Sequence, residues 1–266
     1  MKTIFITGAS SGIGKAAAKL FQSNGWNVIA TMRQPKKETE LSQLKNVTLL
    51  PLDITDPTQI KSTTAKAISF GEVDVVLNNA GQGLFGPMEA ISDEQMVQQV
   101  NSNLLGTMRV TQAFIPHFRE KRSGLFINVT SIAGLMAFPF SNVYHATKWA
   151  LEGWSEGLSI ELAMFNIGVK TVAPSGTKTN FFGHSEYMAT HPAYDKIAQK
   201  IWGGVNLITE SEEIAAVIYE AATDNKDQLR YLAGETAKAT YARRQEAGPE
   251  AFRKEITKWF LILQDA

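Results

Sequence analysis

The sequence predicts a single α/β domain: a doubly wound parallel sheet with helices on both faces. Three observations carry that prediction. Short apolar runs alternate with segments of helical spacing along most of the chain. The first run ends in a glycine loop that opens into a helix. The 266 residues show no repeat, low-complexity tract or linker, so residues 1–266 are assigned to one domain.

Lys2 to Thr7 is the first apolar run, followed by Gly8-Ala9-Ser10-Ser11-Gly12-Ile13-Gly14. Lys15 to Asn24 has helical spacing, with Ala16, Leu20 and Phe21 apolar, and Gly25 closes it. Such a loop is an anion site, because glycines admit a phosphate close to the backbone and helix N–H groups point at it. A P-loop would need glycine at Ala9 and a hydroxyl at Ala16. The spacing is instead Thr-Gly-x-x-x-Gly-x-Gly, a dinucleotide-loop variant.

Val28 to Thr31 is the second strand, ending at Met32-Arg33. At this point in dinucleotide folds an acid holds the 2′-hydroxyl of NAD and a base accommodates the 2′-phosphate of NADP. Val28 to Lys37 holds no acid but has Arg33, Lys36 and Lys37. NADP(H) is preferred on that basis, with NAD(H) as the alternative. Val47 to Leu50 is a third strand. Asp53-Ile54 follows, where Asp53 either binds the adenine amino group or caps its own loop. Pro57 suits the first turn of a helix reaching about Phe70. Val73 to Leu77 is the fourth strand and runs into Asn78-Asn79-Ala80-Gly81.

Leu125 to Val129 is a fifth strand, ending in Thr130-Ser131; by strand alternation Thr130 points away from the cleft that Ser131 faces. A long helix then carries Tyr144-His145-Ala146-Thr147-Lys148. Tyrosine and lysine four apart share a helix face, and a fixed positive charge favours the phenolate. Gly168 to Ala173 is a sixth strand, Ser211 to Thr223 a helix, Leu229 to Leu232 the last strand, and two helices occupy about 235–263.

Composition narrows the function classes. Lys and Arg equal Asp and Glu at 26 each, giving no electrostatic footprint for nucleic acid. The absence of cysteine excludes a thiol nucleophile, a disulfide scaffold and Cys-ligated zinc, and is compatible with the expected cytoplasmic setting. The four histidines form no ligand pattern on a shared element, so no metal is expected. His145 is read as a packing or surface residue. The apolar runs at both ends are too short to span a membrane.

Thr7-Gly8-Ala9-Ser10-Ser11-Gly12-Ile13-Gly14, Asn78-Asn79-Ala80-Gly81 and Tyr144-x-x-x-Lys148 together resemble the motif set of the short-chain dehydrogenase/reductase family. The likeness runs from about Lys2 to the strand near Tyr231. Within the family, the chain looks most like members acting on hydroxysteroids, retinoids and other bulky carbonyls, the carbonyl reductase or ketoreductase type. The resemblance implies a Rossmann-like fold and hydride exchange between a nicotinamide dinucleotide and a carbonyl or alcohol. It implies catalytic roles for Asn103, Ser131, Tyr144 and Lys148, with Asn101 as the competing asparagine. In related enzymes the asparagine distorts its helix and holds a water that passes protons to the lysine. Cofactor contacts are implied at Gly8, Ser10, Ser11, Gly12, Ile13, Gly14, Arg33, Asp53, Ile54, Asn79, Ala80, Gly81, Tyr144 and Lys148. The loop Pro174-Ser175-Gly176-Thr177-Lys178-Thr179 departs from the family by placing Ser175 where glycine is common; Pro174, Gly176, Thr177 and Thr179 are its expected contacts. Substrate contacts are expected at Ser131, Tyr144, Met136, Phe138, Phe181 and Phe182, with the specificity region at about 180–206. A homodimer or homotetramer follows from the same resemblance. Two alternatives stand beside this reading: an NAD-linked alcohol dehydrogenase, and a nucleotide-sensing protein of the same fold without turnover.

Overall fold

The computed structural model describes residues 1–177, 188–203 and 209–265, with backbone alone at 202, 203 and 265. Thr179, Phe181 and Phe182 therefore lie outside the described residues.

The strands are β1 (Thr3–Thr7), β2 (Asn27–Met32), β3 (Val47–Pro51), β4 (Val75–Asn78), β5 (Gly124–Val129), β6 (Ile167–Pro174) and β7 (Arg230–Ala233). They form one sheet in the order β3-β2-β1-β4-β5-β6-β7, with every neighbouring pair parallel. Near-continuous apolar strands are what a sheet covered on both faces requires. Alternation then sorts their side chains. Ile4 and Ile6 of β1 enter one core with Phe21, Ile214 and Ile218, whereas Phe5 enters the other with Phe114, Phe118 and Leu158.

The helices are α1 (Gly12–Ser23), α2 (Pro57–Ser69), α3 (Asp93–Val100), α4 (Thr107–Lys121), α5 (Asn142–Ala163), α6 (Asp195–Gly203), α7 (Ser211–Thr223), α8 (Glu235–Ala247) and α9 (Pro249–Asp265). Helices α1 and α7 cover the first core and α2, α4 and α5 the second. The chain winds outward from β1 to β3, then returns to β4 beside β1. That reversal opens a crevice at the carboxyl ends of β1 and β4, where ligands bind in such sheets.

Two elements differ in their bounds from the sequence reading for local reasons. Helix α1 starts at Gly12, because the glycine loop itself supplies the first turn. A side chain at Gly14 would collide with the Gly8 carbonyl and the Asn79 amide, so glycine lets α1 sit against the ends of β1 and β4. Strand β4 starts at Val75 and includes Asn78; Val73 and Asp74 are held instead by His117 Nε2 and by the ends of β1. The segment Asn101–Gly106 forms a π-helical turn between α3 and α4. Such a turn carries one extra residue and so puts α3 and α4 in different registers, in keeping with the distorted helix that the resemblance implies at the asparagine.

Candidate active site

The ends of β1 and β4 are stitched together by side chains. Thr7 Oγ1 accepts the Asn79 and Ala80 amides, each at 3.0 Å, and Asn79 Nδ2 donates to the carbonyls of Thr7 and Gly8 at 3.1 and 3.0 Å. Asn78 Nδ2 donates to Thr111 Oγ1 and Asn128 Oδ1, both at 2.9 Å, which ties β4 to α4 and β5. Above this floor lies a cleft of about 1260 Å³. One end is lined by Gly8, Ser10, Ser11, Gly12 and Ile13. Ser11 precedes α1 in extended conformation and makes no side-chain cap, and no acid occupies the first turn. The amides there are left for an anion, and the cradle fits a dinucleotide pyrophosphate.

Arg33, Asp53 and Ile54 line the cleft beyond that cradle. Asp53 Oδ1 accepts the amide and hydroxyl of Thr55 at 2.9 and 2.7 Å, so its loop-capping role is made while the residue still borders the cleft. Lys36 and Lys37 occupy a short 3-10 turn outside the lining.

In the middle of the cleft, β5 ends at Val129 and delivers Ser131, while the first turns of α5 deliver Tyr144 and Lys148. Ser131 and Tyr144 both line this part of the cleft, with the Ser131 side chain close enough to favour the Tyr144 phenolate. Lys148 Nζ donates to the Val129 carbonyl at 2.9 Å and lies 5.7 Å from the centre of the Tyr144 ring. Burial pushes the phenol up to about 12, opposed by the Ser131 side chain. Burial likewise brings Lys148 down to about 8, with Glu152 opposing it. Thr130, expected to point away from the cleft, also borders it, while its hydroxyl donates at 2.6 Å to buried Glu152.

Asn103 sits in the π turn and is buried beside the cleft. Its Oδ1 accepts the Gln82 amide at 2.9 Å and its Nδ2 donates to the Gln82 carbonyl at 2.8 Å. The side chain is thus spent on holding Gly81–Gln82 near Lys148. Asn101 lines the cleft and accepts from Arg109 at 2.6 Å.

The family model described as short chain dehydrogenase matches residues 2–189. The chain belongs to the short-chain dehydrogenase/reductase family. An uncharacterised oxidoreductase of Schizosaccharomyces pombe is 39% identical over 209 residues, covering 77% of this chain and 89% of that protein. Retinol dehydrogenase 8 of Bos taurus is 35% identical over 191 residues, covering 68% of this chain and 61% of that enzyme. Among solved structures, a short-chain dehydrogenase from Streptomyces avermitilis superposes with a TM-score of 0.85 at 32% identity, covering 99% of this chain and 97% of that one. ElxO with NADP bound gives 0.74 at 27%, covering 87% and 97%. This protein is an oxidoreductase of that family, and structurally related members hold a nicotinamide dinucleotide.

The short-chain dehydrogenase/reductase cleft also corrects parts of the sequence reading. Met136 is fully buried and does not line the cleft, whereas Phe138 does. Residues 132–134 form a 3-10 turn that leads into the loop carrying both side chains. His145 is neither a surface residue nor simple packing. Its ring is buried, accepts the Phe138 amide, and borders the cleft. Ser175 is accommodated where glycine is usual: its Oγ lies 2.7 Å from Thr209 Oγ1, and Gly234 faces it without a side chain. Pro174, Gly176 and Thr177 also line the cleft.

Phe85 and, within the expected specificity region, Ile201 line the cleft, and the far end of the chain adds Trp259 and Leu263. The last two belong to the apolar stripe of α9. Phe260 and Leu263 anchor that helix against Phe140, Ile197 and Ile201. The stripe was a visible signal; what it would cover was not.

Proposed function

We propose that this enzyme is an NADP(H)-dependent oxidoreductase that interconverts a bulky, apolar ketone or aldehyde and its alcohol. The observation that carries the reading is the convergence of Ser131, Tyr144 and Lys148 in one cleft that also contains the dinucleotide cradle. A bound nicotinamide dinucleotide supplies or removes the hydride. Ser131 and Tyr144 bind the carbonyl oxygen through their hydroxyls. Tyr144 enters reduction protonated, as its raised pKa requires, and gives its proton to the developing alkoxide. The Lys148 ammonium stabilises the phenolate left behind and orients the nicotinamide ribose. Asn103 fixes the wall beside Lys148 by clamping Gln82. Alcohol oxidation reverses these proton movements, with Tyr144 as base.

Arg33 at the end of β2 supports NADP(H), as does the likeness to an NADP-bound neighbour. Phe85, Phe138, Ile201, Trp259 and Leu263 support an apolar substrate, as does the likeness to a retinol dehydrogenase. No helix among the described residues is long and apolar enough to cross a membrane. A cytoplasmic oligomer completes the proposal: the cysteine-free composition suits that compartment, and α5 presents exposed Trp149, Ile160 and Met164 on its outer side.

The test is Tyr144→Phe assayed for NADPH consumption across aromatic ketones, steroids, retinoids and aliphatic aldehydes. Turnover falls by roughly 10²-fold or more while NADPH binding persists. Near-wild-type reduction by the variant overturns the reading.

A further inference from the structure

His145 stands beside Tyr144 on α5 but takes no part in the proton route. Both of its ring nitrogens are committed to one loop. Nδ1 lies 2.7 Å from the Ala133 carbonyl, and Nε2 accepts the Phe138 amide at 2.9 Å. With Nε2 accepting, Nδ1 carries the proton and donates. The two rings, His145 and Phe138, lie 6.1 Å apart and inclined by 38°. One imidazole therefore spans the chord of residues 133–138.

The loop around that chord has few other ties. Its first turn is closed by the amides of Ala133, Gly134, Leu135 and Met136, which reach back to Ser131 and Ile132. At its far end Gly86 donates to the Phe140 carbonyl at 2.8 Å. Phe140 has φ +60°, a backbone that aromatic residues rarely adopt, and it is held by packing against Tyr194, Ile197, Ile201 and Phe260. Between these ends the Phe138 amide has the imidazole. Phe138 is half-buried and forms cleft wall on the side of Ser131 and Tyr144.

We propose that His145 is a positioning residue: by pinning Ala133 and Phe138 it holds Phe138 as a fixed wall of the substrate cleft and thereby sets the preference for bulky apolar carbonyl compounds. The inference rests on the carbonyl reading above. A wall fixed before the substrate arrives need not be ordered on binding, so the benefit appears as affinity. It grows with the apolar surface the substrate lays against Phe138. A small carbonyl that meets only Ser131 and Tyr144 gains little.

Three substitutions separate the two arms of the clamp. His145→Gln places an amide oxygen near the Nε2 position and can accept the Phe138 amide. His145→Asn reaches only the Nδ1 position, and His145→Ala holds neither. Each is assayed with NADPH against an aryl ketone and a short aliphatic aldehyde, and hydrogen exchange is followed at the Phe138 amide. The Ala and Asn variants raise KM for the aryl ketone about tenfold, with kcat and both aldehyde constants within about threefold of wild type. Their Phe138 amide exchanges about tenfold faster or more, and the Gln variant restores both readouts. Equal losses on the two carbonyls, or a loss confined to kcat, overturn the specificity role. Unchanged Phe138 exchange in His145→Ala overturns the clamp. A wild type that binds NADPH but reduces neither carbonyl overturns the carbonyl reading and the specificity it supports, while the exchange comparison still decides the clamp.

Discussion

Arg230 Nε lies 2.8 Å from Glu152 Oε2, so a guanidinium from the last strand neutralises a carboxylate buried one helical turn beyond Lys148. Glu152 also accepts from Thr130 at 2.6 Å and from Thr171 at 3.3 Å. The residue before Ser131, the strand beside it and the Lys148 helix thus share one acid. Removing the guanidinium leaves that acid uncompensated, which costs about 3 kcal/mol or more. Arg230→Ala lowers the denaturant midpoint accordingly. The Glu152→Gln, Arg230→Ala double variant recovers part of the loss, because no carboxylate is left buried without its guanidinium. A double-mutant cycle by chemical denaturation measures the coupling.

Lys148 stabilises the proposed transition state and burdens the fold. Its ammonium is brought from 10.5 to about 8 by burial. Between those values the unfolded chain holds a proton that the folded chain has released. Stability from this group therefore rises with pH across that window, and below pH 8 the full penalty stands. That penalty is on the order of 3 kcal/mol. Lys148→Met abolishes turnover yet is at least as stable as wild type at pH 7. Its advantage shrinks as pH rises from 8 towards 10.5, and thermal melts at a series of pH values check this.

Arg33 tests the coenzyme preference. Its replacement by alanine removes a charged partner for a 2′-phosphate, weakening NADPH by about tenfold to a hundredfold. NADH binding changes little. Titration of both coenzymes reads the ratio directly, and a parallel loss of both counts against the assignment.

His145 titrates in the opposite setting to a surface histidine. Burial holds its pKa below the usual 6.5, with the nearby backbone carbonyls of Ala133 and Phe138 opposing. Below 6.5 the unfolded chain takes up a proton first, so this group's contribution to stability is complete above pH 6.5. It is lost as pH falls towards the folded value. His145→Gln flattens that part of the stability profile between pH 7 and pH 5, measured by urea midpoints.

The strands were legible because parallel strands buried on both faces leave unbroken apolar runs, as in Ile4 to Ile6 and Val75 to Leu77. Ser131, Tyr144 and Lys148 were picked out by the family motif set, with helix periodicity placing the last two on one face, and the structure gathers all three around one cleft. Where a loop folds back over a helix is not written in local spacing. Met136 and Phe138 are both apolar and two apart, yet one is fully buried and the other forms a wall. His145 gave no signal beyond its identity, since its partners are backbone atoms 7 and 12 residues away. Trp259 and Leu263 reach the cleft through long-range packing of α9, which a helical stripe leaves open.

The π turn at Asn101–Gly106 makes the length of this segment, as much as its composition, a determinant of the site. Deleting a single residue such as Leu105 lets α3 and α4 merge into one regular helix. Everything on the amino-terminal side then rotates by about 100° relative to α4. Gln98 and Asn101 swing away from the cleft, and Asn103 no longer meets Gln82. Point substitutions at the same positions keep the frame. The segment is therefore expected to tolerate changes of letter far better than changes of count, and a deletion scan across it locates the register on which the asparagine depends.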